Sequence, residues 1–188
     1  NDDRIMTIGG SNFQNGIVRG DGSYYFSKYS HIWGWATWRR AWQKNDPSLS
    51  FWPTWKDSKA WISHTPNKLE RQYWGKIFEK MYRNEIDTWD YPWTANIWYW
   101  GGLNIIPNKN LVSNIGFGPD GTHTIAPKDQ QGQKTCALGP LIHPASVKQD
   151  MVADQYTYDH LLGGLNQKWP WWIIRLPNRV LKKLKQYL

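Results

Sequence analysis

Fifteen tryptophans and ten tyrosines in a chain of 188 residues decide most of what it can fold into. Rings of this size bury more area than aliphatic side chains and still carry a polar edge. They suit both cores and the walls of sugar-binding sites. A chain this rich in aromatics is not disordered, although its apolar content is only 40%. The length fits one domain with a real core and is short for two.

The single cysteine, Cys136, excludes an internal disulfide and any cysteine-based zinc cluster, and it fits a reducing, cytoplasmic compartment. No secretory signal is visible, and the longest apolar cluster, WPWWII, falls well short of the ~20 residues that span a bilayer. The chain opens NDDRIM, without an initiator methionine, and enters strand-like sequence almost at once. We therefore expect the downstream part of a longer polypeptide.

The net charge of +8 is unevenly placed. From His160 onward there are six basic residues (Lys168, Arg175, Arg179, Lys182, Lys183, Lys185) and no acidic one, so the remainder is nearly neutral. Basic and aromatic residues are not interleaved as a stacking groove for nucleic acid requires, and no nucleic-acid partner is expected. The division that follows is a domain over 1–165 and a basic amphipathic tail over 166–188. The tail either packs its leucine face on the domain or lies on an anionic membrane surface, which would make the protein peripheral to the membrane.

Periodicity predicts an alternation of strands and helices, hence an α/β fold. RIMTIGGSNF reads as a buried strand, and a short aromatic strand follows over Tyr24 to Tyr29. Trp35, Trp38 and Trp42 share one helical stripe, so a helix entered at Gly34 is expected, with Trp38 and Trp42 in the core. Residues 45–61 read as a loop. The clearest helix follows, with Leu69, Tyr73, Ile77 and Met81 on one stripe, Trp74, Phe78 and Tyr82 alongside, a cap at Thr65 or Asn67, and Pro66 in the first turn. In DTWDYPWTANIW, Pro92 fits only a first helical turn, so a helix begins near Asp90 or Tyr91. Trp93, Ile97 and Trp100 form its stripe, and Gly101 and Gly102 stop it. LNIIPNKNLVSNIG reads as two extended pieces, and DMVADQYTYDHLLGGL as a short helix.

Asp90 reads in two compatible ways. It is an N-cap at the positive end of a helix dipole, or a general base held between rings beside a substrate hydroxyl. Asp87 reads as a surface turn residue. His123, in a loop with Gly116, Gly118, Asp120 and Gly121, is a loop hydrogen-bonder or a ligand of a phosphate or metal. Trp33 is the better candidate for a sugar-facing ring. Metalloprotease, zinc-finger, dinucleotide and P-loop signatures are all absent from the sequence.

Four segments together, DDRIMTIGGSNFQNG, GSYYFSKYSHIWGWATWRRAW, DTWDYPW and LVSNIGFGPDGTHT, resemble bacterial glycosyltransferases of the GT-A superfamily. The nearest group is described as nucleotide-diphospho-sugar transferases or "hemolytic protein-like". The resemblance covers roughly residues 1 to 145. A more distant similarity is to the Golgi N-acetylglucosaminyltransferases. In those a Gly-Trp pair opens a helix, a Trp-Asp pair carries the catalytic base, and a glycine loop near a histidine closes over the donor diphosphate. Gly34-Trp35, Trp89-Asp90 and the loop Gly116 to His123 match these in turn.

The resemblance implies the acceptor-side half of a GT-A-like mixed sheet flanked by helices. It also implies inverting transfer from a nucleotide-sugar donor to a carbohydrate or glycolipid acceptor, with Asp90 as base. Trp33 and Trp89 would pack on sugar, Gly34 and Trp35 would support them, and His123 with its loop would meet the diphosphate or a metal. The family uses Mn2+ or Mg2+ held by a D-x-D motif, which this sequence lacks. The alternative is a non-catalytic carbohydrate-binding or membrane-surface module.

Overall fold

The structure, a computed structural model, describes residues 2–115 and 133–168. Its sheet is built from β1 (Ile5–Gly9), β2 (Tyr24–Ser27), β3 (Trp35–Thr37) and β4 (Leu103–Pro107). The strand order is β2-β4-β1-β3, with β1 and β4 parallel at the centre and an antiparallel strand on each side. The helices are α1 (Arg39–Trp42), α2 (Trp52–Trp55), α3 (Lys59–His64), α4 (Lys68–Tyr82), α5 (Asp90–Tyr99) and α6 (Met151–His160), followed by a 3-10 turn over Gly164–Gln167. The fold is α/β with a mixed sheet, as the alternation of patterns predicts.

Successive strand residues point to opposite faces, and here both faces are covered. Ile5, Phe26 and Leu103 pack together in one cluster, while Met6 joins the main core among the helices. That core is a set of interlocked rings. Trp98 meets Trp74 at 5.0 Å and Phe78 at 5.8 Å between ring centres, and Trp52 meets Trp61 at 5.4 Å. The helix at its centre is α5, whose residues 92 to 98 are all buried, as expected for a helix packed on every side. Its polar Asn96 is fully satisfied there. The side chain donates to the Asp46 carbonyl at 2.9 Å and accepts from the Asp46 amide at 2.9 Å.

Several expectations need correction. Trp35 lies in a strand, and the helix that follows is only Arg39–Trp42, with Trp38 as its extended N-cap. Gly34, at φ +59°, is therefore a turn into β3 and not a helix entrance. Trp38 and Trp42 are 38% and 44% exposed, so they are not core residues. The helical spacing of these rings misleads because Arg39 and Arg40 are also exposed, which leaves no buried stripe.

The expected loop over 45–61 contains α2 and the start of α3, whose tryptophans Trp52, Trp55 and Trp61 are buried. Pro53 sits in the first turn of α2, where a missing amide costs nothing. In α4 the buried residues are Glu70, Trp74, Phe78 and Met81, so Met81 keeps its expected place while Leu69, Tyr73 and Ile77 are only partly buried. Its cap is Asn67, which accepts from the Leu69 and Glu70 amides, and Pro66 stands before the cap. On α5, Trp93 and Ile97 are buried while Trp100 is 52% exposed and closes the helix. The second extended piece after Pro107 forms no strand among the described residues. Of the tail expected over 166–188, residues 169–188, and with them the expected amphipathic helix, lie outside the described residues.

Candidate functional site

After β2 the chain runs from Lys28 to Trp33 toward the start of α5, and this crossing segment carries much of the site. Its first residues are pinned by Asp154 on α6, which accepts from the Ser27 hydroxyl at 2.5 Å and the Lys28 amide at 3.3 Å. Burial pushes the Asp154 carboxyl up to about 6, against the opposing pull of Ser27, Gln149 and Lys28. The Lys28 ammonium is buried 2.6 Å from Glu70 on α4 and lies over the Trp98 ring. The Tyr29 hydroxyl donates to the same Glu70 oxygen. At its far end the segment is held by Ser11, whose hydroxyl donates to the Trp33 carbonyl at 3.0 Å.

Asp90 is the first residue of α5. The cap position belongs to Trp89, in αR conformation and with no side-chain cap bond, so the N-cap expectation for Asp90 is corrected by one residue. The carboxylate still lies at the positive end of the helix. Its Oδ1 accepts from the Tyr91 amide at 2.9 Å and from the Thr88 hydroxyl. Its Oδ2 has no hydrogen bond among the described residues. One oxygen is thus anchored and the other is available. Asp87 is exposed, as a surface turn residue should be.

Two small adjoining cavities meet at Asp90. One, of about 130 Å³, is bounded by Ser30, His31, Tyr91 and Thr94. The other, of about 220 Å³, is bounded by Phe13, Ser30, His31 and Trp33. Trp33 and Asp90, proposed from sequence, therefore share a cavity wall. His31 lines both cavities; its Nε2 is buried without a hydrogen-bond partner, and burial lowers its imidazole to about 4. The ring is neutral near neutral pH. Phe13 packs edge-on against both His31, at 4.7 Å, and Trp33, at 5.6 Å. Burial, and then the Asp90 charge, push the Tyr91 phenol up, so it stays protonated.

Trp89 and Trp35 form a separate feature. Their rings stack at 5.3 Å with planes 20° apart, and Trp89 remains 48% exposed. Trp35 continues the contact inward to Trp93, at 6.3 Å. Gly34 lies between the two sets of rings, and a Cβ there would run into Val112.

Gly116, Gly118, Gly121 and His123 lie outside the described residues. Among the described residues no three His, Cys, Asp or Glu side chains gather as a metal site needs, and the cavity walls offer only Asp90 as a carboxylate. The described residues thus do not fit Mn2+ or Mg2+. Roomier concavities of about 400 Å³ beside β2 and about 690 Å³ beside α4 do not include any residue proposed from sequence. Size alone does not choose among these hollows; the convergence of a half-free carboxylate and an orphan imidazole favours the small pair.

Sequence reasoning missed His31, Ser30 and Phe13. Phe13 and His31 meet only through the tertiary fold, and no spacing rule joins residues from a turn and a crossing segment. The one available signal was the position of His31 two residues before Trp33.

No helix among the described residues is long and apolar enough to cross a membrane. Compared with known proteins, the chain matches no family model, no curated protein and no solved structure.

Proposed function

We propose that this chain contributes the acceptor side of a glycosyltransferase acting on a nucleotide-sugar donor, with Asp90 as the general base. The observation that carries the reading is the asymmetry of Asp90. Oδ1 is held by Thr88 and Tyr91, while Oδ2 has no hydrogen bond among the described residues and Asp90 lines a ring-walled cavity. The sequence resemblance supports it independently, since Trp89-Asp90 match the family's Trp-Asp base pair.

In the proposed reaction an acceptor hydroxyl lies against Oδ2. Its oxygen attacks the anomeric carbon of the donor and forms the new glycosidic bond. The bond from that carbon to the diphosphate oxygen breaks, and its electron pair leaves with the nucleoside diphosphate. The hydroxyl proton passes to Oδ2 as the attack proceeds. Fixing Oδ1 limits carboxylate rotation, so the free oxygen keeps its aim without a fresh ordering cost. Trp33 and Phe13 form a wall for the apolar face of the acceptor ring.

A positioned base contributes ~10²–10⁴-fold to rate. Asp90→Asn in the native protein is expected to lower product turnover by about that range while the fold is kept, since an amide oxygen can still accept from Thr88 and Tyr91. Wild-type turnover by Asp90→Asn would refute the base.

One observation favours a second reading, a non-catalytic carbohydrate-binding module. Trp89 is 48% exposed and backed by Trp35, the arrangement of a stacking platform for a sugar face. It predicts saturable glycan binding that nucleotide leaves unchanged.

A further inference from the structure

We propose that the cavity pair at Asp90 selects an uncharged sugar ring as acceptor and rejects acidic sugars and phosphorylated ones. The proposal rests on the glycosyl-transfer reading for the word acceptor, but its content is the chemistry of the pocket. Among the described residues, no lysine or arginine lines either cavity. Lys28, the one buried lysine or arginine among the described residues, is committed to Glu70 at 2.6 Å. A bound carboxylate or phosphate would thus find no counter-charge among the described residues and would lie beside Asp90. Like charges within a few ångströms, partly shielded from water, repel strongly enough to change affinity by about tenfold or more.

The remaining wall suits a neutral polyol. Phe13 and Trp33 give apolar surface for C–H faces, and the Ser30 and Tyr91 hydroxyls and the neutral His31 ring can bond sugar hydroxyls. The imidazole can present either a donor or an acceptor, and a hydroxyl can satisfy either. The volumes hold one sugar ring and not an oligosaccharide.

The test is equilibrium binding, without donor, of methyl glycosides of glucose, galactose, mannose and N-acetylglucosamine, with methyl glucuronoside and methyl galacturonoside as charged partners of the same ring shape. Binding is read by saturation-transfer NMR and by tryptophan fluorescence at neutral pH. We expect at least one neutral glycoside to bind and its uronate to bind about tenfold more weakly or worse. Asp90→Asn should keep the neutral ligand and narrow that gap. His31→Phe, of similar volume, should weaken the neutral ligand. Uronates binding as well as their neutral partners, or no neutral glycoside binding, would overturn the proposal. Turnover separates the two claims. Asp90-dependent transfer to a uronate acceptor sinks the selectivity alone, and selective binding with wild-type turnover in Asp90→Asn sinks the base alone.

Discussion

The Lys28 ammonium and the Glu70 carboxylate meet at 2.6 Å within a core of rings, each side chain only 5% exposed. Taking both charges out of water is costly, and the pair holds because each offsets the other, helped by the Tyr29 hydroxyl on Glu70 and the Trp98 ring under Lys28. Breaking one half is worse than losing both. Lys28→Met leaves Glu70 charged and uncompensated, at an expected cost of roughly 3–5 kcal/mol. Adding Glu70→Gln removes that charge and keeps an acceptor for the Tyr29 hydroxyl, so the double variant should recover much of the loss. Urea unfolding of the four proteins measures this. Additive losses would mean that the two charges do not depend on each other.

Gly34 is held at φ +59° with Val112 against it. Gly34→Ala meets two penalties, the left-handed backbone and the contact with Val112, together about 3 kcal/mol. Val112→Ala in the same chain should relieve the two closest contacts, keep the one at the Cβ of residue 112, and leave a loss of about 1 kcal/mol or a little more, mostly from the backbone. Thermal or urea unfolding of the single and double variants separates the two. Tolerance of Gly34→Ala without loss would remove Gly34 as the pivot between Trp33 and Trp35.

His31 and Asp154 drive stability in opposite directions with pH. Burial lowers His31 to about 4, and burial with the Lys28 charge lowers His64 to about 3. Both groups bind protons more readily in the unfolded chain, so their contribution is present above about pH 6.5 and is lost as pH falls toward those values. Asp154 is raised to about 6, so the folded state holds its proton more tightly. Its contribution is full below about pH 4 and is lost as pH rises through 6. Asp154→Asn removes only that opposing part. Between pH 7 and pH 5 the variant should lose roughly 1.3 kcal/mol more stability than wild type does. Urea titrations at the two pH values give the difference directly. Parallel pH profiles would contradict the raised carboxyl.

The α/β class and the long elements were legible because their patterns are local. Helix α4 shows its period over fifteen residues, and Pro92 marks the start of α5. The tryptophans were harder to place. Trp35 and Trp42 share a helical spacing, yet they meet across a strand and a four-residue helix at 6.2 Å. A large ring is compatible with strand, helix and surface alike, so its spacing carries less information than that of leucine or valine. The candidate site was half legible. Asp90 and Trp33 stood out by their neighbours in sequence, whereas His31 acquires meaning only when the crossing segment brings it to Asp90. Likewise Lys28 and Glu70, 42 positions apart in the numbering, give no sequence sign that they pair.

The central claim is direct displacement with one base, and the anomeric configuration of the product tests it most directly. The native protein would be supplied with a panel of nucleoside-diphosphate sugars, with neutral methyl glycosides as acceptors, and the product linkage read by proton NMR. A single carboxylate base acting on the acceptor hydroxyl predicts inversion, an α-linked donor giving a β-glycoside. A product that retains the donor's configuration would contradict the account and remove Asp90 from the role of base.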